Sequence, residues 1–211
     1  MPAKPFQPGT IAKEGEFEGF REKWELGGGP DCTVTLAFSG PPATSPDMPT
    51  MYVINSVLSG PSGWFKQYLE TNEFIRGTTS IVSQSVDESP ILASATIKGP
   101  VQEENGVKLL FRQFKKIAYL PLTMEMADTL RYAKSHAVGS YLSLLSSNTT
   151  RAFQSGRGEL FGLSVDYPVI LPAKIDAITS DDLLRVGMKY FEKDEFNRRP
   201  YAISETRPGG W

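Results

Sequence analysis

Residues 78–99 read TTSIVSQSVDESPILASATIKG. Two β-rich runs, 77–86 and 91–98, flank Asp87-Glu88-Ser89-Pro90, whose side chains and fixed proline φ suit a hairpin turn. In the second run Ile91, Ala93, Ala95 and Ile97 alternate with Ser94, Thr96 and Lys98. Successive strand side chains point to opposite faces, so this alternation predicts a sheet with one covered face. Helices must supply the cover.

The helices lie on both sides of that pair. Upstream, Asp47 is a plausible cap and Pro49 suits a first turn, with Met51, Ile54 and Leu58 on one face of a helix through MYVINSVL. Residues 59–63 (SGPSG) interrupt it. Trp64, Phe65, Tyr68 and Leu69 then restart an apolar stripe toward Thr71. An anion-binding reading of SGPSG is weak, because Pro61 lacks an amide proton. Downstream, Val107, Leu110, Phe111, Phe114 and Ile117 or Ala118 mark a helix whose remaining surface carries Lys108, Arg112, Lys115 and Lys116. We read those cations as a solvated face with no aromatic platform among them. Pro121 ends the segment, Thr123 can cap the next, and helix is expected from 124 to about 157 with a break near Gly139. The sequon Asn148-Thr149-Thr150 then falls inside a helix and is coincidental. Thr179 and the acidic Asp181-Asp182 start a last helix, with Leu183, Val186, Gly187 and Tyr190 on its face, ending near Phe191. A first strand at 32–38 and a final strand at 201–206 complete the pattern, with a turn at Gly27–Pro30 before the first. The fold class is α+β, a largely antiparallel sheet with helices on one face.

Composition narrows the function classes. The 211 residues carry 22 Lys and Arg against 24 Asp and Glu, a formal charge of -2 that gives no global reason to bind nucleic acid or an anionic membrane surface. No apolar run is long enough for a membrane span, and the first residues, MPAKPFQPG, have no signal-peptide core. The compartment is left open, and the chain is compatible with a piece cut from a longer, exported protein. Half of the 16 prolines lie in the first 50 residues, so residues 1–30 read as a linker-like segment before a domain at 31–206 and a tail at 207–211. The chain has one Cys, Cys32, and one His, His136. Closed zinc sites rely on Cys and His, so no intrinsic zinc is expected. A Cys32/His136 nucleophile and base pair has no local signature; Cys32 reads as a small apolar strand residue and His136 as a helix-surface or interhelical one.

Four stretches, in order, resemble one half of an insulinase/pitrilysin-type peptidase, the family that includes the mitochondrial processing peptidases. They are MYVINSVLSGPSGWFKQYLETNEF, the strand pair already quoted, TLRYAKSHAVGSYLSLLSSNTTRAFQSGRGELFG, and DYPVILPAKIDAITSDDLLRVGMKYF followed by YAISET. The resemblance implies a half-clamshell that faces a second domain around a peptide chamber. The catalytic shell of that family bears H-x-x-E-H, whose two His, with a distal Glu, hold zinc while the motif's Glu serves as general base. Here His136 is followed by Ala137, Val138, Gly139 and Ser140, so this chain resembles the metal-free shell. That shell usually supplies an Arg and, about seven residues later, a Tyr that steady the oxyanion. Alignment to YLETNEFIRG places Leu69 at the Arg position and Arg76 at the Tyr position, both changed. Leu69 cannot donate a hydrogen bond. Arg76 keeps a cation that could touch peptide, against the plainer reading of a solvated strand-start residue.

The resemblance therefore implies no catalytic residue and no metal ligand in this chain, with zinc expected only in a partner. The implied partners are an H-x-x-E-H domain or subunit and peptide substrates, with a homodimer as another form of association. The alternative is a scaffolding relative with no peptidase role, as in respiratory-complex core subunits. A self-sufficient hydrolase built on Cys32 or a carboxylate pair is a third, weaker reading.

Overall fold

The computed structural model describes residues 21–27, 31–71, 73–98, 103–119, 124–191 and 201–208. Five strands form one sheet: β1 (Arg21–Gly27), β2 (Asp31–Phe38), β3 (Ile75–Val82), β4 (Ile91–Lys98) and β5 (Tyr201–Pro208), in the order β1-β5-β2-β4-β3. β1 runs parallel to β5, and the other three pairings are antiparallel. The largely antiparallel α+β fold expected from the alternation is the fold observed. On β2 and β4 every second residue is buried, and the register sets Cys32 beside Ile97, Val34 beside Ala95, Leu36 beside Ala93 and Phe38 beside Ile91. One face of the sheet is thus a continuous apolar surface.

Among the described residues there are six α-helices, of which the first two cover that face and the others pack on helices: α1 (Met48–Ser59), α2 (Glu103–Ala118), α3 (Met124–Leu144), α4 (Asn148–Leu160), α5 (Tyr167–Asp176) and α6 (Ser180–Phe191). α1 packs on β3 and α2 on β2 and β4, whereas α3 and α5 pack on α1, α6 on α2, and α4 on α5. Phe38 of β2 meets Phe114 of α2 and Phe191 of α6 with ring centroids 4.6 and 5.5 Å apart. Such tilted and edge-on pairs add about 0.5–1.5 kcal/mol each to the area they bury. Gly187 lets α6 approach α2 closely, since a Cβ there would sit 2.9 Å from the Ile117 side chain.

Several boundaries differ from the sequence reading. β3 starts at Ile75 and stops at Val82, so the hairpin connection is longer than Asp87–Pro90; the Ser83 amide donates to the Pro90 carbonyl (3.0 Å) and closes it. The apolar stripe after SGPSG makes only one π-helical turn, Phe65–Leu69, held by the Glu70 amide on the Phe65 carbonyl at 2.9 Å. The long helix breaks at residues 145–147, not at Gly139. Ser147 there takes the extended backbone of a cap, and its hydroxyl accepts from the Thr150 amide at 3.0 Å, whereas an isolated helical glycine costs only about 1 kcal/mol. The sequon does fall in a helix, with Asn148 as the exposed first residue of α4.

Asp47 occupies the cap position of α1, but its backbone is helical and its side chain caps nothing. Its carboxylate turns to α6 instead. Thr179 caps α6 as expected, and the structure makes the cap reciprocal with Asp182: the Asp182 amide donates to the Thr179 hydroxyl (3.2 Å) and the Thr179 amide to the Asp182 carboxylate (3.1 Å). β1, which had no counterpart in the sequence reading, lies inside the stretch read as linker, and β5 runs two residues past 206. The turn at 28–30, Pro121, the Thr123 cap and the extreme termini lie outside the described residues.

Candidate functional site

The two positions singled out from the family motif lie close in sequence but in unlike surroundings. Leu69 ends the π-helical turn and is fully buried, one of the core side chains. The stripe that carried Phe65 and Leu69 inward explains this, because Leu69 follows Phe65 by one helical turn. Arg76 stands at the irregularity of β3, between Ile75 opposite Ile97 and Gly77 opposite Thr96. That extra residue turns its side chain toward solvent, where Nε pairs with the Asp31 carboxylate of β2 at 2.8 Å. Arg76 is therefore exposed but not simply solvated.

The face of the sheet away from the helices is polar. Thr33, Thr35, Ser94, Thr96 and Thr79 are half-buried or exposed on it, and the Thr35 and Ser94 hydroxyls lie 2.7 Å apart. It grades from Ala37, Leu92 and Ile81 at one end to Asp31, Lys98 and Arg76 at the other. β3 forms an edge of this sheet, pairing with β4 alone among the described strands.

His136 sits between helices, as one of its two sequence readings held. Its Nδ1 lies 3.2 Å from the Ser56 hydroxyl of α1 and its Nε2 lies 3.3 Å from that of Ser140. Cys32 is fully buried on the covered sheet face, so the nucleophile and base pair does not form. Among the described residues no group of three or more His, Cys, Asp or Glu is placed to hold a metal ion. Nor is any helix there long and apolar enough to cross a membrane.

Of the four cations of α2 read as a solvated face, Lys108 and Arg112 are exposed, whereas Lys115 and Lys116 lie against aromatic rings. Lys116 Nζ lies 3.6 Å from the Tyr68 ring centroid and 5.0 Å from that of Trp64, and Lys115 lies 5.1 Å from that of Phe111. The rings were legible as apolar residues, but only folding brings the π-helical turn beside α2.

Sequence reasoning missed a groove of about 500 Å³ between the end of α1, the Gly60–Gln67 connection and α3. Ser56, Gln67, Asp128, Tyr132 and His136 are its polar lining, and Val57, Trp64 and Ala133 are apolar. The signal was present as the SGPSG break and His136, but nothing in the sequence states that the two face each other.

No family model matches the sequence, and no curated protein does. Solved structures do resemble the fold. An inactive peptidase domain from Bordetella parapertussis superposes with a TM-score of 0.73 at 15% identity, over 87% of this chain and 96% of that one. The peptidase M16 inactive domain from Pseudomonas fluorescens gives 0.69 at 18% identity, over 90% and 43% of the two chains. A chain of complex III2 from Candida albicans gives 0.74 at 12%, over 90% and 45%. This chain thus spans nearly all of the Bordetella domain and under half of the other two. At these identities the likeness is one of fold, and the fold of this chain is that of the inactive M16 peptidase domain.

Proposed function

We propose that this chain is the non-catalytic shell of a zinc peptidase assembly: it closes a peptide chamber and holds extended substrate for a domain that bears H-x-x-E-H. The observation that carries this reading is the superposition on an inactive peptidase domain over almost its whole length, together with a sequence whose single His rules out the catalytic motif. Two features support peptide handling. The edge of β3 that no described strand pairs with can pair with an extended peptide through main-chain hydrogen bonds, and the hydroxyl-rich face can line a wet chamber without selecting side chains. Leu69 and Arg76, standing for the family's Arg and Tyr, leave the zinc-bearing partner to perform the chemistry unaided, with Arg76 as the one candidate peptide contact.

Mixing the purified chain with an H-x-x-E-H subunit from the same source tests this. Peptide hydrolysis that requires both chains is expected. A partner fully active alone, or no complex between them, overturns the reading.

The likeness to a complex III2 chain favours a second reading, a scaffolding subunit with no peptide handling. Stable assembly with non-peptidase subunits and no effect on proteolysis would select it.

A further inference from the structure

The groove between α1 and α3 has the chemistry of a cation site. Among the described residues no lysine or arginine lines it, and Asp128 is the one carboxylate that does. Arg131 forms an exposed ion pair with it, donating to Oδ1 at 2.9 Å, and among the described residues no group donates to Oδ2. The amide nitrogen of Gln67 donates to the Ser62 carbonyl (3.0 Å), which leaves the Gln67 side-chain oxygen as an acceptor. The C-terminal end of α1 adds to this. The Gly60 amide donates to the Ser56 carbonyl at 2.9 Å, but no basic side chain in the last turn meets the partial negative charge of that helix end, and Pro61 has no amide proton to offer it. Val57, Trp64 and Ala133 supply apolar wall for an alkyl stem. The volume suits one long side chain or a small molecule.

We propose that this groove binds an organic cation of the guanidinium or ammonium class, with the charged head between Asp128, Gln67 and the end of α1, and the methylene stem against Val57 and Trp64. The cation is either an arginine or lysine side chain of a peptide or a free alkyl-guanidine or alkylamine. No residue of β3 lines the groove, and the assignment stands whether or not a catalytic partner exists.

The test is a titration of the full chain, isotope-labelled for NMR, with N-acetyl-arginine amide and, as a neutral match in shape, N-acetyl-norleucine amide. Saturable shifts at the Trp64 indole, Gln67 side-chain amide and His136 ring are expected with the first and not the second. Asp128 is exposed, so Asp128→Asn and Asp128→Lys should keep the native spectrum. Asp128→Asn should weaken binding about fivefold, and Asp128→Lys should abolish it. A blocked Gly-Gly-Arg-Gly-Gly peptide that binds at least about tenfold tighter than n-butylguanidinium identifies a peptide as the source; equal affinity identifies a free cation. Equal binding of the norleucine amide, indifference to Asp128→Lys in a folded variant, or no saturable shift with the arginine amide overturns the proposal.

Discussion

The Asp47 carboxylate accepts a hydrogen bond from the Lys189 ammonium at 2.6 Å, joining the entry of α1 to the last turn of α6. Asp47 is 2% exposed, and Arg185 (2.7 Å) and the Tyr190 hydroxyl (3.2 Å) also donate to it. Three donors from one helix face clamp a single buried anion. Asp47→Ala should therefore lower stability by about 2 kcal/mol, because a buried charge-assisted network is lost while the half-exposed cations return to water. Urea denaturation measures this, and a change within about 0.5 kcal/mol would show that the clamp contributes nothing.

The same groups set the pH range of stability. Burial raises the Asp47 pKa, but the hydrogen bonds and charges of Lys189 and Arg185 outweigh it and hold the carboxyl below its ordinary value; hydrogen bonds from Thr179 lower Asp182 as well. Depressed carboxyls stabilise the fold above their unfolded pKa, and that contribution is lost as pH falls through the folded one. Burial pushes Tyr52 and Tyr141 up, and Tyr167 up to about 12. Their contribution is complete below the unfolded phenol pKa and is lost as pH rises past it. Stability should be level between about pH 4 and pH 10 and fall on both sides. In Asp47→Asn the acid limb should flatten.

Leu69 and Arg76 should separate folding from chemistry. Leu69→Ala should cost about 2–5 kcal/mol of stability as a buried truncation, with no effect on the chemical step of an assembled peptidase. Arg76→Ala should cost under about 1 kcal/mol, since its pair with Asp31 is partly exposed. A loss of about 10²-fold in kcat at Arg76 with unchanged folding would instead give it the oxyanion role and end the proposal that this shell has no catalytic residue.

Chain purified without a histidine tag should contain no stoichiometric zinc by elemental analysis. One tightly held zinc per chain would overturn the metal-free assignment.

Gly187→Ala should destabilise by about 1–3 kcal/mol, because the new methyl meets the Ile117 side chain and carbonyl at 2.9 and 3.0 Å and must part α6 from α2. Thermal unfolding reads this directly; an unchanged midpoint would mean that the helices slide apart at no cost.

Light scattering at several concentrations should find the chain associated, with itself or with an H-x-x-E-H partner. A strict monomer that binds no such partner would count against the clamshell role.

What local pattern controls was legible from residues alone. Alternation in 91–98 set the buried face of β4, the Thr179/Asp182 pair marked the start of α6, and the one-His composition excluded the catalytic motif. Each depends on neighbours in sequence or on a residue type being absent. Tertiary structure decided the rest, because it depends on which distant groups meet. Asp47 was expected to cap its own helix, yet Lys189 and Arg185 compete for the carboxylate and win with full charges where a cap offers one amide. β1 escaped notice since a parallel edge strand needs its partner β5, far along the chain, to exist at all. Lys116 joined Tyr68 and Trp64, and His136 joined Ser56 at the groove, only once helices separated by dozens of residues packed together. A periodic sequence shows which face turns inward; only packing chooses what that face will touch.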